Sequence, residues 1–455
     1  MANIFIIGGG MSGLSVLHQL KKKYSQRPDV HIQLLEKNNR LGGTTGSVVQ
    51  GRWIFELGPN GFLDTKEQML QLIQELGLTA EVVRAHGLKK RYVLIKNRLH
   101  RVPSDFFSFL TFQPLSILDK LRIPLEILVT PGTKPEETVH EFGVRRFGEN
   151  FARVILDPVV TGIFAGDPRR LNLKTAFPKL YGLEQEHRSV VAGILRWRRS
   201  RSVNPQMNPV RTLQGNLLSF RKGMAQLVDA FQERYPEAIQ LNQDVRTIEK
   251  KDEQFLIRTA GGIFHADEIF LCVPAYGAAA LTRSLNPMLA DQLLKIEYAP
   301  VVVVGLVYPR SSLENFPSGF GYLIPSFEKK EILGVLFESE IFPGRSDHNH
   351  VVFRLMIGGA RRPEVAHKKE DELIQLAKTE IQSRFGAKAE PVHSFIASRP
   401  QAIPQYTTEY VPVRMTIERE IYKMKGIHVA ANYLGGVSLN DCVVNAQMVA
   451  RQSKL

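Results

Sequence analysis

The chain has 455 residues, 44% hydrophobic and 23% charged, with 35 Gly and 25 Pro, a globular composition sized for two or three domains. Low-complexity, collagen-like and wholly disordered chains are excluded, and two cysteines (Cys272 and Cys442) exclude a disulfide framework or a cysteine-pair metal site and favour a reducing compartment. The formal charge of +14, from 59 Lys and Arg against 45 Asp and Glu, favours an anionic partner: nucleic acid, an acidic membrane surface or an anionic substrate.

In chain order, Asn3 to Ile7 reads as a buried strand, and Leu14, Leu17 and Leu20 mark one face of a helix from about Ser12 to Tyr24. A second strand, Val30 to Leu35, ends at Glu36, so the opening is a βαβ unit. Met69 to Leu78 predicts a helix stopped near Gly77. Residues 98–205 are rich in Pro, Phe and Arg and read as mostly helical. Strands return at Val245 to Glu249, Gln254 to Thr259, Ile263 to His265 and Glu268 to Val273. Val301 to Ile357 reads as a mixed, β-rich region, and a helix follows from about Lys369 to Phe385. The end repeats the opening theme, with a strand from Ile427 to Ala431, a Gly-Gly turn and a helix from about Asn440.

The opening residues lack the basic stretch and cleavage site of a secretory signal, so no leader is expected. No window reaches the ~20 uncharged apolar residues that a bilayer span requires. The nearest, Phe106 to Val129, is interrupted by Asp119, Lys120, Arg122 and Glu126, and suits the plane of a membrane surface better than its interior.

The strongest signal is Gly8-Gly9-Gly10-Met11-Ser12-Gly13, a GxGxxG pattern that follows a strand, opens a helix and precedes an acidic strand end at Glu36. Gly8 allows the tight turn, Gly10 lets backbone approach a pyrophosphate, and Gly13 lets helix pack on strand. The helix N-terminus stabilises phosphate charge, and Glu36 accepts from ribose hydroxyls. In that context a ligand-free glycine turn is the weaker reading. Glu36 continues through Lys37 and Arg40 to a second glycine pair, Gly42-Gly43, which folds back over the pyrophosphate of an elongated dinucleotide. This extended motif resembles the flavin-containing amine oxidase superfamily, and the resemblance implies FAD rather than a nicotinamide cofactor.

Further segments resemble the protoporphyrinogen oxidases of that superfamily: Phe55-Glu56-Leu57-Gly58-Pro59-Asn60-Gly61, Gly162-Ile-Phe-Ala-Gly-Asp167, Gly319-Phe-Gly-Tyr-Leu-Ile-Pro325, Phe342-Pro-Gly-Arg345, Pro404-Gln-Tyr406 and Asn432-Tyr-Leu-Gly-Gly-Val-Ser-Leu-Asn-Asp-Cys442. The resemblance implies an FAD-dependent, oxygen-using enzyme of haem synthesis on the cytoplasmic face of a membrane. Its implied fold is α/β, with a Rossmann-like FAD-binding domain (1–57, 206–275 and 415–455), a mixed α+β substrate domain (58–97 and 276–414) and a helical membrane-binding domain (98–205). Implied cofactor contacts are Gly58, Pro59, Asn60 and Gly61, then Val245, Asn432, Val437, Ser438 and Leu439, beside the residues already named. Asn60 stands where some members carry Arg or Asp. On the residues alone, Val245 is one alternating strand residue, and Ser438-x-x-Asp441 is a capping box.

For the substrate, the resemblance implies that Arg91 meets a propionate, where a planar guanidinium forks onto a carboxylate. Phe320, Leu323 and Met356 are implied to sandwich the macrocycle, and the Gly162 carbonyl to face pyrrole N–H groups. Read alone, Lys89-Lys90-Arg91 is a solvated basic cluster and the apolar three are core. No catalytic side chain is assigned, because the flavin carries the chemistry. His348 and His350 lie in a polar turn, and no metal is expected. Two grouped propionates suit one Arg beside apolar walls, so protoporphyrinogen is expected over coproporphyrinogen with its four. A coproporphyrinogen oxidase, a more distant amine oxidase and a non-catalytic protein of the Rab-escort type are the alternatives. Implied partners are the porphyrinogen, an anionic membrane surface and ferrochelatase, with no nucleic acid, in a monomer or homodimer. Expected docking residues are Phe106, Phe107, Phe109, Leu110 and Phe112, with Arg196, Arg198, Arg199 and Arg201 flanking Trp197.

Overall fold

A computed structural model describes residues 2–86, 90–203 and 215–455. They divide into two compact units, Met1–Arg84 with Leu213–Glu297 and Pro412–Leu455, and Ala85–Thr212 with Tyr298–Val411. The three-domain division expected from the sequence differs from this. Residues 98–203 cluster with the rest of the second unit, while 58–84 and 276–297 cluster with the first. The reason is visible in the pairing: Arg98–Arg101, expected within the helical stretch, is a strand hydrogen-bonded to Arg91–Ile95 in the second unit's main sheet.

The first unit is built on a parallel sheet in the order Ile239–Gln240, Val30–Leu35, Ala2–Ile7, Glu268–Leu271 and Ile427–Val429. The helix Met11–Lys23 links the first two strands in sequence, as the opening pattern predicts. Its Leu14, Leu17 and Leu20 are fully buried in one core with Ile4, Ile6, Leu34, Phe231 and Val443. An antiparallel meander (Val245–Lys251, Gln254–Thr259, Gly262–Ala266) occupies the expected β region. The helices Glu67–Glu75, Ala225–Arg234 and Leu439–Ala450 contribute Met69, Leu72, Phe231, Val443 and Ala446 to the same core.

The second unit holds a seven-stranded sheet in the order His393–Pro404, Tyr298–Pro309, His350–Gly358, Ile332–Phe337, Gly321–Leu323, Arg91–Ile95 and Arg98–Arg101. It is antiparallel except where Gly321–Leu323 runs parallel to Arg91–Ile95. Strand alternation sends Val302, Val304, Leu306, Phe353 and Leu355 to one face, where the helix Glu370–Phe385 buries them with Leu373, Ala377 and Phe385. Tyr322 shares that face, and its hydroxyl donates to Glu380 at 2.9 Å. The opposite face carries the row Ala397, Val303, Met356, Gly334 and Leu323, paired strand to strand. That row is the floor of the candidate substrate wall.

Candidate functional site

In the first unit, the buried strand Ala2–Ile7 delivers Gly8 with φ +104° into the turn. A Cβ on Gly13 would lie 1.9 Å from the Gly8 carbonyl oxygen, so helix and strand touch there only because Gly13 has no side chain. The helix that follows starts at Gly10 with no side-chain cap and no acid in its first turn, which leaves its leading N–H groups to an anion. Beside them the space is open: a Cβ on Gly10 would meet no atom within 4 Å. Met11 and Ser12 are buried at the helix start.

Glu36 is 5% exposed and fixed in place. Its Oε2 accepts from the Gly9 N–H at 2.7 Å, and its Oε1 accepts from the Asn38 N–H at 2.9 Å and the Asn38 side-chain amide at 2.5 Å. A carboxylate has about four acceptor directions, so one remains for a ribose hydroxyl. Behind the loop lie both cysteines. Burial pushes the Cys442 thiol up to about 11 and Cys272 further still, so both act as packing groups.

The second glycine pair lies alongside the first loop. Gly42 N–H donates to the Gly9 carbonyl at 2.8 Å, and Gly43 approaches the Gly10 Cα. Arg40 braces this return by donating to the carbonyls of Leu41 (3.1 Å) and Gly43 (2.7 Å), while Lys37 is exposed. Gly58 packs on the same loop, where a Cβ would stand 2.2 Å from the Thr44 carbonyl oxygen. Pro59, Asn60 and Gly61 follow it, half-buried. The segment before Val245 runs along Glu36 through Glu36 N–H to Gln240 O and Gln243 N–H to Glu36 O, both 2.9 Å. Asn432 and Val437 are half-buried in the final turn, and Ser438 caps the helix Leu439–Ala450 by accepting from the Asp441 N–H at 3.1 Å. Asn440 then donates to the Leu63 carbonyl at 2.7 Å, tying that turn to the chain just past Gly61. The sequence reading missed Thr44, whose carbonyl sets the approach of Gly58. A backbone oxygen leaves no mark on residue type.

In the second unit, Arg91 opens its strand opposite Gly321, and its guanidinium lies 4.9 Å over the Phe320 ring. Among the described residues it meets no carboxylate, so its charge is available to an incoming anion. Leu323 and Met356 flank Gly334 on the floor row and are half-buried. Gly162 lies in the last turn of the helix Asp157–Phe164, with Leu323 Cδ1 at 3.0 Å from where its Cβ would be. Its carbonyl is one of those a helix end leaves without an intrahelical partner, and it accepts no hydrogen bond among the described residues. The structure therefore places all five residues expected to meet the substrate on neighbouring segments of one unit. Gln405, in the segment Pro404-Gln-Tyr406, donates to the Phe164 carbonyl at 2.9 Å and closes the same helix. His350 pairs with Asp347 at 2.7 Å, and among the described residues no group of three His, Cys, Asp or Glu gathers as a metal site.

Comparison with known proteins covers the whole chain. The model of the family described as flavin containing amine oxidoreductase matches residues 11–452. Chloroplastic protoporphyrinogen oxidase of Nicotiana tabacum is 30% identical over 98% of this chain and 84% of its own length. Protoporphyrinogen oxidase of Homo sapiens is 29% identical over 98% and 97%. Among solved structures, a putative protoporphyrinogen oxidase from Exiguobacterium sp. 255-15 superposes with a TM-score of 0.82 at 21% identity, covering 99% of this chain and 98% of that one. Reduced UDP-galactopyranose mutase follows the same fold with a TM-score of 0.72 at 15% identity, covering 99% and 95%.

Proposed function

Since the chain belongs to the flavin containing amine oxidoreductase family, we propose that this flavin-dependent oxidoreductase uses FAD to oxidise protoporphyrinogen IX to protoporphyrin IX, with O2 as acceptor and H2O2 as product. The reaction removes six hydrogens in three two-electron steps. FAD, when bound, supplies the two-electron acceptor that O2 restores. The residues present fit it: an uncapped helix start, open space beside Gly10, and a buried Glu36 with an acceptor direction to spare.

The chain's own contribution is position and charge. Arg91 binds a propionate with two charge-assisted bonds, and its stacking on Phe320 holds the guanidinium plane. Phe320, Leu323 and Met356 exclude water from the macrocycle, and the Gly162 carbonyl accepts from pyrrole N–H groups. The observation that carries the substrate assignment is Arg91, stacked on an aromatic ring and unpaired with any described acid. A second reading, coproporphyrinogen, needs a further cation for its two additional propionates, and draws on Arg153, exposed with its guanidinium 4.7 Å over Phe327. Side-by-side kinetics decide between them: kcat/KM is expected to be higher for protoporphyrinogen, and equal or better turnover of coproporphyrinogen moves the enzyme to the other branch.

For its setting, the reading is a peripheral protein on the anionic inner face of the cell membrane. Support comes from Phe107, Leu118 and Leu128, which are 79%, 79% and 77% exposed, with Lys120 and Arg122 nearby in sequence. Among the described residues no helix is long and apolar enough to cross a membrane. Arg196 is exposed, and the side chains of Phe106, Trp197, Arg198, Arg199 and Arg201 lie outside the described residues.

A further inference from the structure

The three segments that carry Gly162, Leu323 and Met356 lie apart in sequence, yet one carboxylate joins them: one segment carries it and the other two donate to it. Asp157 begins the helix of Gly162, Ser326 follows the strand of Leu323, and Arg361 follows the strand of Met356. Asp157 Oδ1 accepts from the Ser326 N–H at 3.2 Å and from Arg361 Nη1 at 3.1 Å, and Asp157 Oδ2 accepts a short hydrogen bond from the Ser326 hydroxyl. Arg361 Nη2 donates to the Thr161 hydroxyl at 2.6 Å, one residue before Gly162. The carboxylate side chain is 7% exposed and the guanidinium 20%.

We propose that Asp157, with Arg361, is the positioning residue of the substrate wall: it fixes the separation between Gly162 and the Leu323–Met356 floor. This rests on the reading of that wall as the porphyrinogen site. A buried ion pair contributes little net stability compared with apolar residues of the same volume, so stability alone does not account for one here. Its bonds are directional, and these join three separate backbone segments at one point. The spacing they hold is tight: a Cβ added at Gly162 would stand 3.0 Å from Leu323 Cδ1, so the helix passes the floor this closely only because residue 162 is glycine. The π-helical turn Ala152–Leu156 immediately precedes Asp157; beyond it, Asp157 is buried while Gly162 is exposed. Such turns recur at functional sites. At its far end the helix is closed by Gln405 on the Phe164 carbonyl and by the Ala360 N–H on the Ala165 carbonyl at 2.8 Å. Asp157 holds the start of the helix, and Arg361 holds Thr161, the residue next to Gly162.

Loosening the clamp lowers the fraction of molecules with a correctly spaced slot, which raises apparent binding constants by the inverse of that fraction and leaves the reacting groups unchanged. The test uses the FAD-loaded full chain with protoporphyrinogen, comparing wild type, Asp157→Asn, Arg361→Gln, the double variant and Arg361→Lys. KM is expected to rise on the order of tenfold in each of the first two, with kcat within about twofold and flavin content unchanged. The double variant should be no worse than either single, because both remove one interaction. Arg361→Lys should recover part of the loss. A kcat loss at unchanged KM, or additive effects in the double variant, overturns the assignment while leaving the functional reading intact. A wild type that turns over no porphyrinogen overturns both. If Asp157→Asn does not fold, Ser326→Ala decides, since it removes one hydroxyl donor and keeps the ion pair: a KM raised severalfold supports the clamp, and an unchanged KM overturns it.

Discussion

In a Gly10→Ala variant the added methyl group meets no protein atom within 4 Å, and the backbone there, at φ −74° and ψ 179°, suits any residue. The apoprotein should therefore fold with unchanged or slightly raised stability, since removing glycine's freedom from the unfolded chain contributes ~0.4–1 kcal/mol. That methyl group occupies the space into which a pyrophosphate must come to reach the helix N–H groups. Losing one charge-assisted hydrogen bond costs ~1.5–3 kcal/mol, which weakens FAD binding on the order of 10- to 100-fold. Gly13→Ala behaves in the opposite way. Its Cβ would stand 1.9 Å from the Gly8 oxygen, a backbone atom that cannot swing aside, so strand and helix must part. Destabilisation of ~3 kcal/mol or more is expected before any cofactor is added. Thermal melts of the apoproteins, with titration of flavin fluorescence against each, separate the two effects. Gly10→Ala protein that binds FAD as tightly as wild type, or that melts as early as Gly13→Ala, contradicts this role for Gly10.

Arg91→Ala should lower kcat/KM for the porphyrinogen by ~1.5–3 kcal/mol in transition-state terms, while the melting temperature stays put because no described acid depends on it; an unchanged kcat/KM removes Arg91 from the site. Acid should weaken the first unit through Glu75. Burial raises that carboxyl, but bonds from Lys22, His18 and Gln71 outweigh it and bring it to about 2 from 4.5. Because the folded value is the lower one, the stabilisation (~3 kcal/mol at most) is present above about 4.5 and fades as pH falls toward 2. Burial also lowers His18 against the pull of Glu75, so its contribution too is lost as pH drops below 6.5. The melting-point gap between wild type and Glu75→Gln should thus narrow steadily from pH 5 toward pH 2, and a constant gap contradicts the pairing. Co-sedimentation with anionic vesicles should fall when Leu118 and Leu128 are both changed to Asp, each buried Leu being worth ~1.5–3 kcal/mol, and binding that ignores both changes argues against that surface.

What the sequence made legible was local. Leu14, Leu17 and Leu20 announce their helix at a period of three to four, and all three are buried as that period requires. Glu36 is recognisable because one acidic residue closes a strand at a fixed interval from a glycine loop. The clamp at Asp157 was not legible. Its partners, Ser326 and Arg361, lie more than 150 residues away, and each alone reads as an ordinary polar residue in a turn. The hairpin Arg91–Ile95 and Arg98–Arg101 was also missed in part, because charged residues at both edges interrupt the alternation and the edge strand buries little. The helix Tyr410–Lys423 went unread as well, with Pro412 near its start and charges along its length.

The central claim is that this chain, loaded with FAD, converts a porphyrinogen to a porphyrin at the expense of O2. Simultaneous recording of porphyrin fluorescence and oxygen consumption tests it most directly, with protoporphyrinogen supplied to the FAD-loaded and the flavin-free protein. The account predicts that only the FAD-loaded protein accelerates porphyrin formation, with three O2 consumed and three H2O2 released for each porphyrin. Porphyrin formation no faster than the spontaneous rate, or equal acceleration by the flavin-free protein, would contradict it.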